Sequence, residues 1–357
     1  MLKSKSMAIY PIILAGGFGA RLWPISRQCS PKQFVKLIGE HTLFQQAVER
    51  IRGFVEVVAP VIVCNSKHYD LVAEQLHAIG INNAQIIIES VGKGTAPAIA
   101  VAAFKLMVQG HDPLLLVLPA DHVIADVLQF HKAIATAKKY ALRNFLVCFG
   151  VIPSRPEVGY GYIKFGEQLH DDMVFRVARF VEKPDVELAK QYMSSGEYYW
   201  NSGIYMFHAS VYLQELKQHA IDIYQVCKDV VYSNTNLTSE IFKVENKQID
   251  FCRSDSVDCA IMEKTKNAVA VPIDIGWSDL GSWQALWEFC KKDDAGNVIV
   301  GDVNNKNTSN SYIHATGRKI VVLGIRNCVI IETRDAVLIS AKDCCQDIRS
   351  VIDAFKK

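Results

Sequence analysis

The chain has 357 residues, half of them hydrophobic and 21% charged, which fits a globular protein with room for two domains. Its 39 basic and 37 acidic residues leave a formal charge of +2, so no basic surface of nucleic-acid-binding type is expected. No apolar run reaches membrane-spanning length, and the first seven residues lack the apolar stretch of a secretory leader, so no membrane partner and a cytoplasmic location are expected. The ten cysteines follow no framework spacing, and neither C-x-x-C nor H-x3–5-H occurs, so reduced thiols and no zinc site are expected.

The first apolar run, residues 9–14, predicts a buried strand. Further strand-like runs at 60–64, 85–88, 114–118 and 145–151 alternate with helical stretches near 42–53, 67–79, 96–109 and 127–142. Thr42 and Gln45 form a capping box for the first helix. The alternation predicts an α/β fold with a mainly parallel sheet, helices on both faces and ligands at the carboxyl ends of strands. From about 159 to 290 the order changes. Strands around 160–165, 174–181 and 203–207 mix with helices around 185–195, 210–218, 256–265 and 281–291. This reads as an insertion on the same sheet, building the other half of a cleft. After Gly296, Ile313, Lys319, Ile325, Ile331 and Val337 recur every six residues, the period of a parallel β-helix, which Lys319 breaks unless Ile320 substitutes. Ile348, Val351, Ile352 and Phe355 predict a closing amphipathic helix.

Chemistry concentrates where the first strand ends. Leu14-Ala-Gly-Gly-Phe-Gly-Ala-Arg21 breaks the chain at Gly16, Gly17 and Gly19 and delivers Arg21, with Lys32 following on the same loop. Glycines let backbone N–H groups approach an anion, and two cations suit a polyanion, most simply a nucleoside triphosphate. No Gly-Lys-Ser/Thr of a P-loop follows, and the third glycine of a dinucleotide fingerprint is replaced by Leu22. Another apolar strand ends in Asp121, a hard carboxylate suited to Mg²⁺, which binds through one or two carboxylates plus phosphate oxygens. A strand-end aspartate is otherwise a turn or cap residue.

The string from Leu14 to Phe34 resembles the signature loop of the sugar-nucleotide pyrophosphorylases, and its L-W-P-x-S-R…P-K-Q-F version looks like the mannose-1-phosphate guanylyltransferase branch. The resemblance covers about residues 8–345. It implies a Rossmann-like, GT-A-like nucleotidyltransferase domain over 1–292, with a nucleotide half at about 8–155 and a sugar-phosphate half at about 156–292. A short C-terminal left-handed β-helix-like domain with a closing helix would fill 293–357. Leu14, Ala15, Gly16, Gly17, Gly19, Glu89, Gly92, Thr95 and Pro97 fall at nucleotide-binding positions. By the same resemblance Arg21 contacts the triphosphate tail, Lys32 lies near the α-phosphate, and Asp279, in Gly276-Trp-Ser-Asp-Leu-Gly-Ser-Trp283, joins Asp121 on Mg²⁺.

The segment from Ile88 to Pro97 is similar to the family's E-P-x-G-R-N-T-A-P, with Ser90, Lys93 and Gly94 in place of Pro, Arg and Asn. Glu89 would accept from guanine N1–H and N2–H₂. Gly161, Glu182, Asn201 and Asp258 match the sugar contacts, Lys183 the sugar phosphate, and Glu263 carries little weight. The implied reaction is GTP plus α-D-mannose 1-phosphate giving GDP-mannose and diphosphate. A phosphomonoester is mostly dianionic near neutrality, with a second pKa of about 6, so no general base is needed. The alternatives are a nucleotidyltransferase for another NTP or sugar 1-phosphate, or a catalytically silent nucleotide-sugar-binding regulatory subunit. Loss of Arg21, Lys32 or Asp121 would mark the silent form, and all three are present. The tail is a candidate homodimer surface. Some relatives continue into a cupin domain with isomerase activity, whereas here only the transferase is expected.

Overall fold

The computed structural model describes residues 8–352 apart from 18, 19, 55, 109, 170–172, 245, 246, 346, 349 and 350. The chain divides into two compact units that interleave along the sequence. The first takes the residues up to Gly16, Ala47–Ala120 and Ile124–Trp277. The second takes Gly17–Gln46, Asp121–Val123 and Ser278–Lys357.

In chain order the elements begin β1 (Ile9–Ala15), α1 (Leu43–Glu49), β2 (Val61–Asn65), α2 (Tyr69–Ala78), β3 (Gln85–Glu89) and α3 (Thr95–Met107). They continue with β4 (Leu114–Pro119), β5 (Val123–Ile124), α4 (Val127–Ala141), β6 (Leu146–Val151), β7 (Tyr162–Gln168), β8 (Phe175–Val181) and α5 (Val186–Ser195). Next come β9 (Tyr198–His208), α6 (Ala209–His219), α7 (Ile221–Tyr232), β10 (Ile241–Val244), β11 (Ala268–Ile273), β12 (Trp277–Ser278) and α8 (Trp283–Phe289).

Among the described residues the first unit holds one sheet of ten strands, ordered β10-β3-β2-β1-β4-β9-β6-β11-β8-β7. The run from β10 to β4 is parallel throughout. Ile12, Ile13, Val61, Ile62, Leu116 and Val117 are fully buried, as strands covered on both faces must be. Beyond β4 the sheet is mixed. β9 lies antiparallel between β4 and β6, and β7 turns back so that Tyr162 pairs with Trp200 at the start of β9. α3 carries five alanines on its buried surface, Ala96, Ala98, Ala100, Ala102 and Ala103, which admit close packing with α6 and α7.

Local signals agree with the helix starts. Asp126 accepts from the Gln129 backbone nitrogen at 2.9 Å, and Asp185 accepts from that of Leu188 at 2.9 Å. The capping box forms reciprocally. Gln45 Oε1 accepts from Thr42 N at 3.0 Å and Thr42 Oγ1 accepts from Gln45 N at 3.2 Å. Several elements lie outside the expected set: α7, which follows α6 after Ala220 alone, the strand β11, the two-residue strands β5 and β12, and β10, a four-residue edge strand with alternating exposure. The helix expected at 256–265 is instead a π-turn, Asp258–Met262.

The second unit contains β13 (Val298–Val300), β14 (Val303–Lys306), β15 (Tyr312–Ala315), β16 (Ile320–Leu323), β17 (Cys328–Glu332) and β18 (Val337–Ala341). β13, β15 and β17 stack in parallel on one side and β14 and β16 on the other, while β18 closes the first stack antiparallel. Stacked parallel coils are as expected, but the six-residue period is not the coil's step. Val298 pairs with Tyr312 and Tyr312 with Val329, a step of 14 residues (298 to 312) and then 17 (312 to 329). Accordingly Ile313 and Ile331 are buried, whereas Lys319, Ile325 and Val337 are exposed and Ile320 takes the inward place beside Val322. The core of this unit gathers Leu22, Leu280, Trp283, Leu286, Tyr312 and Val329. Residues 348, 351 and 352 are helical, and Phe355 of the expected closing helix lies outside the described residues. No helix among the described residues is long and apolar enough to cross a membrane, and all ten cysteines are free.

Candidate active site

In the second unit the glycine loop runs from Gly17 into a short turn, Ala20–Leu22, and on to another, Lys32–Phe34. Gly19 lies outside the described residues. Gln33 is buried and its Nε2 donates to the Gly17 carbonyl at 2.7 Å, holding the entry of the loop. Lys32 is only 5% exposed. Its ammonium lies 2.8 Å from Asp121 Oδ2 and donates to the Asp279 carbonyl at 2.5 Å. One ammonium therefore touches the Asp121 carboxylate and the Asp279 backbone, the two residues that the resemblance pairs on a metal. Burial pushes the Asp121 carboxyl up, but Lys32, His122 and Arg21 together outweigh it and hold it down at about 2. Arg21 itself is exposed. His122 Nε2 stands 3.6 Å from Asp121 Oδ1, the neighbour expected of it.

The Asp279 carboxylate accepts from Gly281 N at 2.8 Å, and between them Leu280 is fully buried with φ of 45°, a left-handed conformation rare for leucine. The Asp121 carboxylate beside Lys32 and the Asp279 carboxylate on the Gly281 nitrogen are hard oxygen donors, the chemistry a divalent cation such as Mg²⁺ takes. Among the described residues no cluster of three or more His, Cys, Asp or Glu is placed to hold an ion.

The first unit carries the residues expected to meet the base and the sugar. Leu14 and Ala15 end β1, and the Leu14 carbonyl accepts from Ala120 N at 3.1 Å. Glu89 is the last residue of β3, 6% exposed, with Asn65 and Val244 opposite it on the neighbouring strands. A Cβ on Gly16 would stand 3.8 Å from Glu89 Oε2, so the loop's entry passes beside this carboxyl. Burial, and secondarily the Cys252 thiol, push Glu89 up to about 8. It is therefore mostly protonated at neutral pH in the free protein, which the sequence does not suggest.

Gly92 is exposed, and Pro97 is buried in the first turn of α3. The segment between is stapled to the chain ahead of Asp258. Asp255 N donates to Lys93 O at 2.9 Å, Ala96 N to Asp255 O at 3.2 Å, and Val257 N to Thr95 Oγ1 at 2.9 Å. Gly94, at φ of 91° and ψ of 178°, is what permits this, because a Cβ there would lie 2.2 Å from the Asp255 carbonyl oxygen.

On the sugar side, Gly161 O accepts from Asn201 N at 2.8 Å, and a Cβ on Gly161 would come within 2.6 Å of Glu182 Oε2. Burial, then the Asp258 charge, push Glu182 up. Lys183 is exposed, donates to the Glu182 carboxylate, and has a left-handed backbone at φ of 48°. Glu263, given little weight in the sequence, accepts from Glu182 N at 2.9 Å and so holds this turn. Asn201 is nine-tenths buried, and its Nδ2 donates to Asp258 Oδ1 at 2.8 Å and to the Tyr205 hydroxyl at 3.0 Å. Asp258 opens the π-turn, a feature found often at functional sites. Tyr205, four residues after Asn201, donates to the same Asp258 oxygen and is not among the residues the sequence singles out. Only its place in the W-N-S-G-I-Y string could have marked it.

A mixed sheet with a glycine loop after its central strand, followed by stacked parallel coils, defines a nucleotidyl transferase with a β-helix tail. The nucleotidyl transferase family model matches residues 10–296, and the MannoseP isomerase/GMP-like beta-helix domain matches residues 301–355. The mannose-1-phosphate guanylyltransferase of Salmonella muenchen is 47% identical over 350 residues, covering 98% of this chain and 73% of that protein. The Klebsiella pneumoniae protein of the same name is 45% identical over 351 residues, covering 98% and 74%. A crystal structure from Thermus thermophilus, described as a mannose-1-phosphate geranyltransferase, aligns with TM-score 0.86 at 28% identity, covering 98% of this chain and 99% of that one. The chain belongs to the nucleotidyl transferase family and, within it, to the mannose-1-phosphate guanylyltransferases.

The staple at Gly94 gives a specific expectation. Restoring the family residue with Gly94→Asn should cost about 1–3 kcal/mol from backbone conformation alone, with the clash against Asp255 adding to it. Urea unfolding reads this as a lower midpoint, and a midpoint equal to that of the parent chain would contradict the close approach.

Proposed function

We propose that the chain transfers a guanylyl group from GTP to mannose 1-phosphate, forming GDP-mannose and pyrophosphate. What carries this reading is the buried Lys32 shared by Asp121 and Asp279 beside the Arg21 loop, in a chain so similar to the guanylyltransferases. A phosphate oxygen of the sugar phosphate attacks the α-phosphorus in line. The bond from that phosphorus to the bridging oxygen breaks, and pyrophosphate leaves with the electron pair. No proton has to be removed from the nucleophile, so alignment and charge neutralisation are the protein's tasks. Arg21 takes the triphosphate tail and Lys32 the α-phosphate. Asp121 and Asp279 would hold Mg²⁺, which when bound would neutralise phosphate charge. In the first unit Glu89 reads the guanine edge. Glu182, Asn201 and Asp258, with the Gly161 backbone, meet the hexose, and Lys183 meets its phosphate.

Pyrophosphate release with GTP, Mg²⁺ and mannose 1-phosphate tests the reading. Arg21→Ala and Asp121→Asn should each lower turnover by roughly 100-fold or more, with thermal melts confirming that the variants fold. Turnover within threefold of the parent in either variant would remove that residue from the chemistry.

Glu89 adds a pH dependence. Guanine N1–H and N2–H₂ are both donors, so the ionised carboxylate binds them and the protonated form does not match. With its carboxyl pushed up to about 8, GTP affinity should rise as pH increases from about 6.5 to 8.5. Glu89→Gln should flatten that rise. Parallel profiles for the two proteins would show that Glu89 does not contact the base.

A further inference from the structure

Tyr205 sits in the middle of the sheet, on β9 between β4 and β6, opposite Val117 on one side and Cys148 on the other, and is 1% exposed. Its hydroxyl donates to Asp258 Oδ1 and accepts from Asn201 Nδ2 at 3.0 Å, and Asn201 Nδ2 also reaches Asp258 Oδ1 at 2.8 Å. Tyrosine, asparagine and aspartate thus close a three-membered hydrogen-bonded ring. Asn201 is fixed in turn, because Gly203 N donates to its Oδ1 at 3.1 Å. Between Cys148 and Gly150 on β6 the partner on β9 jumps from Tyr205 to Asn201, so the extra residues bulge on β9, over Ser202–Ile204 between the two ring residues. Both ring partners from β9 bind one oxygen of Asp258, leaving the carboxylate's orientation fixed while Oδ2 takes no part in the ring.

We infer that Tyr205 is a positioning residue of the sugar subsite: its hydroxyl orients Asp258 and keeps it an acceptor for a hexose hydroxyl. This rests on the mannose 1-phosphate reading given above. Other groups around Asp258 do not do this work. Glu182 beyond β8, Cys148 on β6 and Tyr212 on α6 are each pushed up first by burial and further by the Asp258 charge, so none of them offers a positive charge to hold Asp258 ionised. The Lys183 ammonium is engaged with Glu182, and Glu263 with the Glu182 backbone. Burial drives the Asp258 carboxyl up, and the Tyr205 hydrogen bond is the largest influence opposing it, ahead of Ser256 and Asn201.

The test is Tyr205→Phe, which keeps the ring and removes the hydroxyl. The Michaelis constant for mannose 1-phosphate should rise roughly tenfold, the value of one hydrogen bond to a charged group. The constant for GTP should stay within about twofold and kcat within about threefold. The acidic limb of kcat/KM for mannose 1-phosphate should move to higher pH, because Asp258 then protonates more readily. On an Asp258→Asn background the same change should alter the sugar-phosphate constant less than about twofold, since there is no carboxylate left to orient. An unmoved sugar-phosphate constant and acidic limb would overturn the positioning role, and so would an equal rise in both substrates' constants or a full tenfold effect on the Asp258→Asn background. If the parent chain forms no GDP-mannose, the substrate reading fails and this role fails with it. A normal parent with an unaffected variant overturns Tyr205 alone.

Discussion

A buried ammonium must be matched by oxygen on every side or it destabilises the fold that surrounds it. Lys32 meets that requirement with the side chain of Asp121 and the backbone of Asp279. Those three residues come from the three stretches of sequence that make up the second unit, 17–46, 121–123 and 278 onward. The glycine loop, the turn after β4 and the loop leading into α8 therefore share one charge. The same contact helps hold the Asp121 carboxyl well below the usual carboxylate range. On the proposed reading, the charge that joins the loops is also the charge that meets the α-phosphate.

Elsewhere the candidate residues sit on backbone that ordinary secondary structure would not choose. Leu280 and Lys183 are left-handed without being glycine, and Asp258 opens a π-turn. Each such departure costs on the order of 1–3 kcal/mol and persists only where packing dictates it. The packing is at hand. Leu280 is fully buried beside Trp283 and Leu286, and the π-turn residues Ala260, Ile261 and Met262 are all in the main core. The strained Lys183 is different, being exposed, and is held instead by Glu263 through the neighbouring Glu182 nitrogen.

Much of this is legible in the sequence, for a physical reason. Strands buried on both faces read as unbroken apolar runs, so β1, β2, β3, β4 and β6 can be placed, and the capping box of Thr42 and Gln45 marks the first helix. Residue chemistry also places Arg21, Lys32 and Asp121 near one another. What stays hidden depends on partners distant in the chain. Nothing local tells that β9 enters between β4 and β6, that the tail's coil steps by 14 and 17 residues, or that Gly94 lies against Asp255. Gly94 reads as a lost asparagine and is instead the condition for a backbone staple. Glu89 reads as a ready carboxylate, and its environment makes it a weak acid. Tyr205 draws no notice in the sequence because a tyrosine inside an apolar strand is ordinarily core.

The central claim is that Asp121 and Asp279, brought together by Lys32, receive the metal that accompanies the triphosphate on the Arg21 loop. Crystals of the protein grown with GTP and Mn²⁺, with data recorded at the manganese edge, test it most directly. The account predicts an anomalous peak ligated by both carboxylates and by phosphate oxygens of a nucleotide whose tail meets Arg21. A manganese ion bound to the nucleotide but held by other side chains, with Asp121 and Asp279 left uncoordinated, would contradict it.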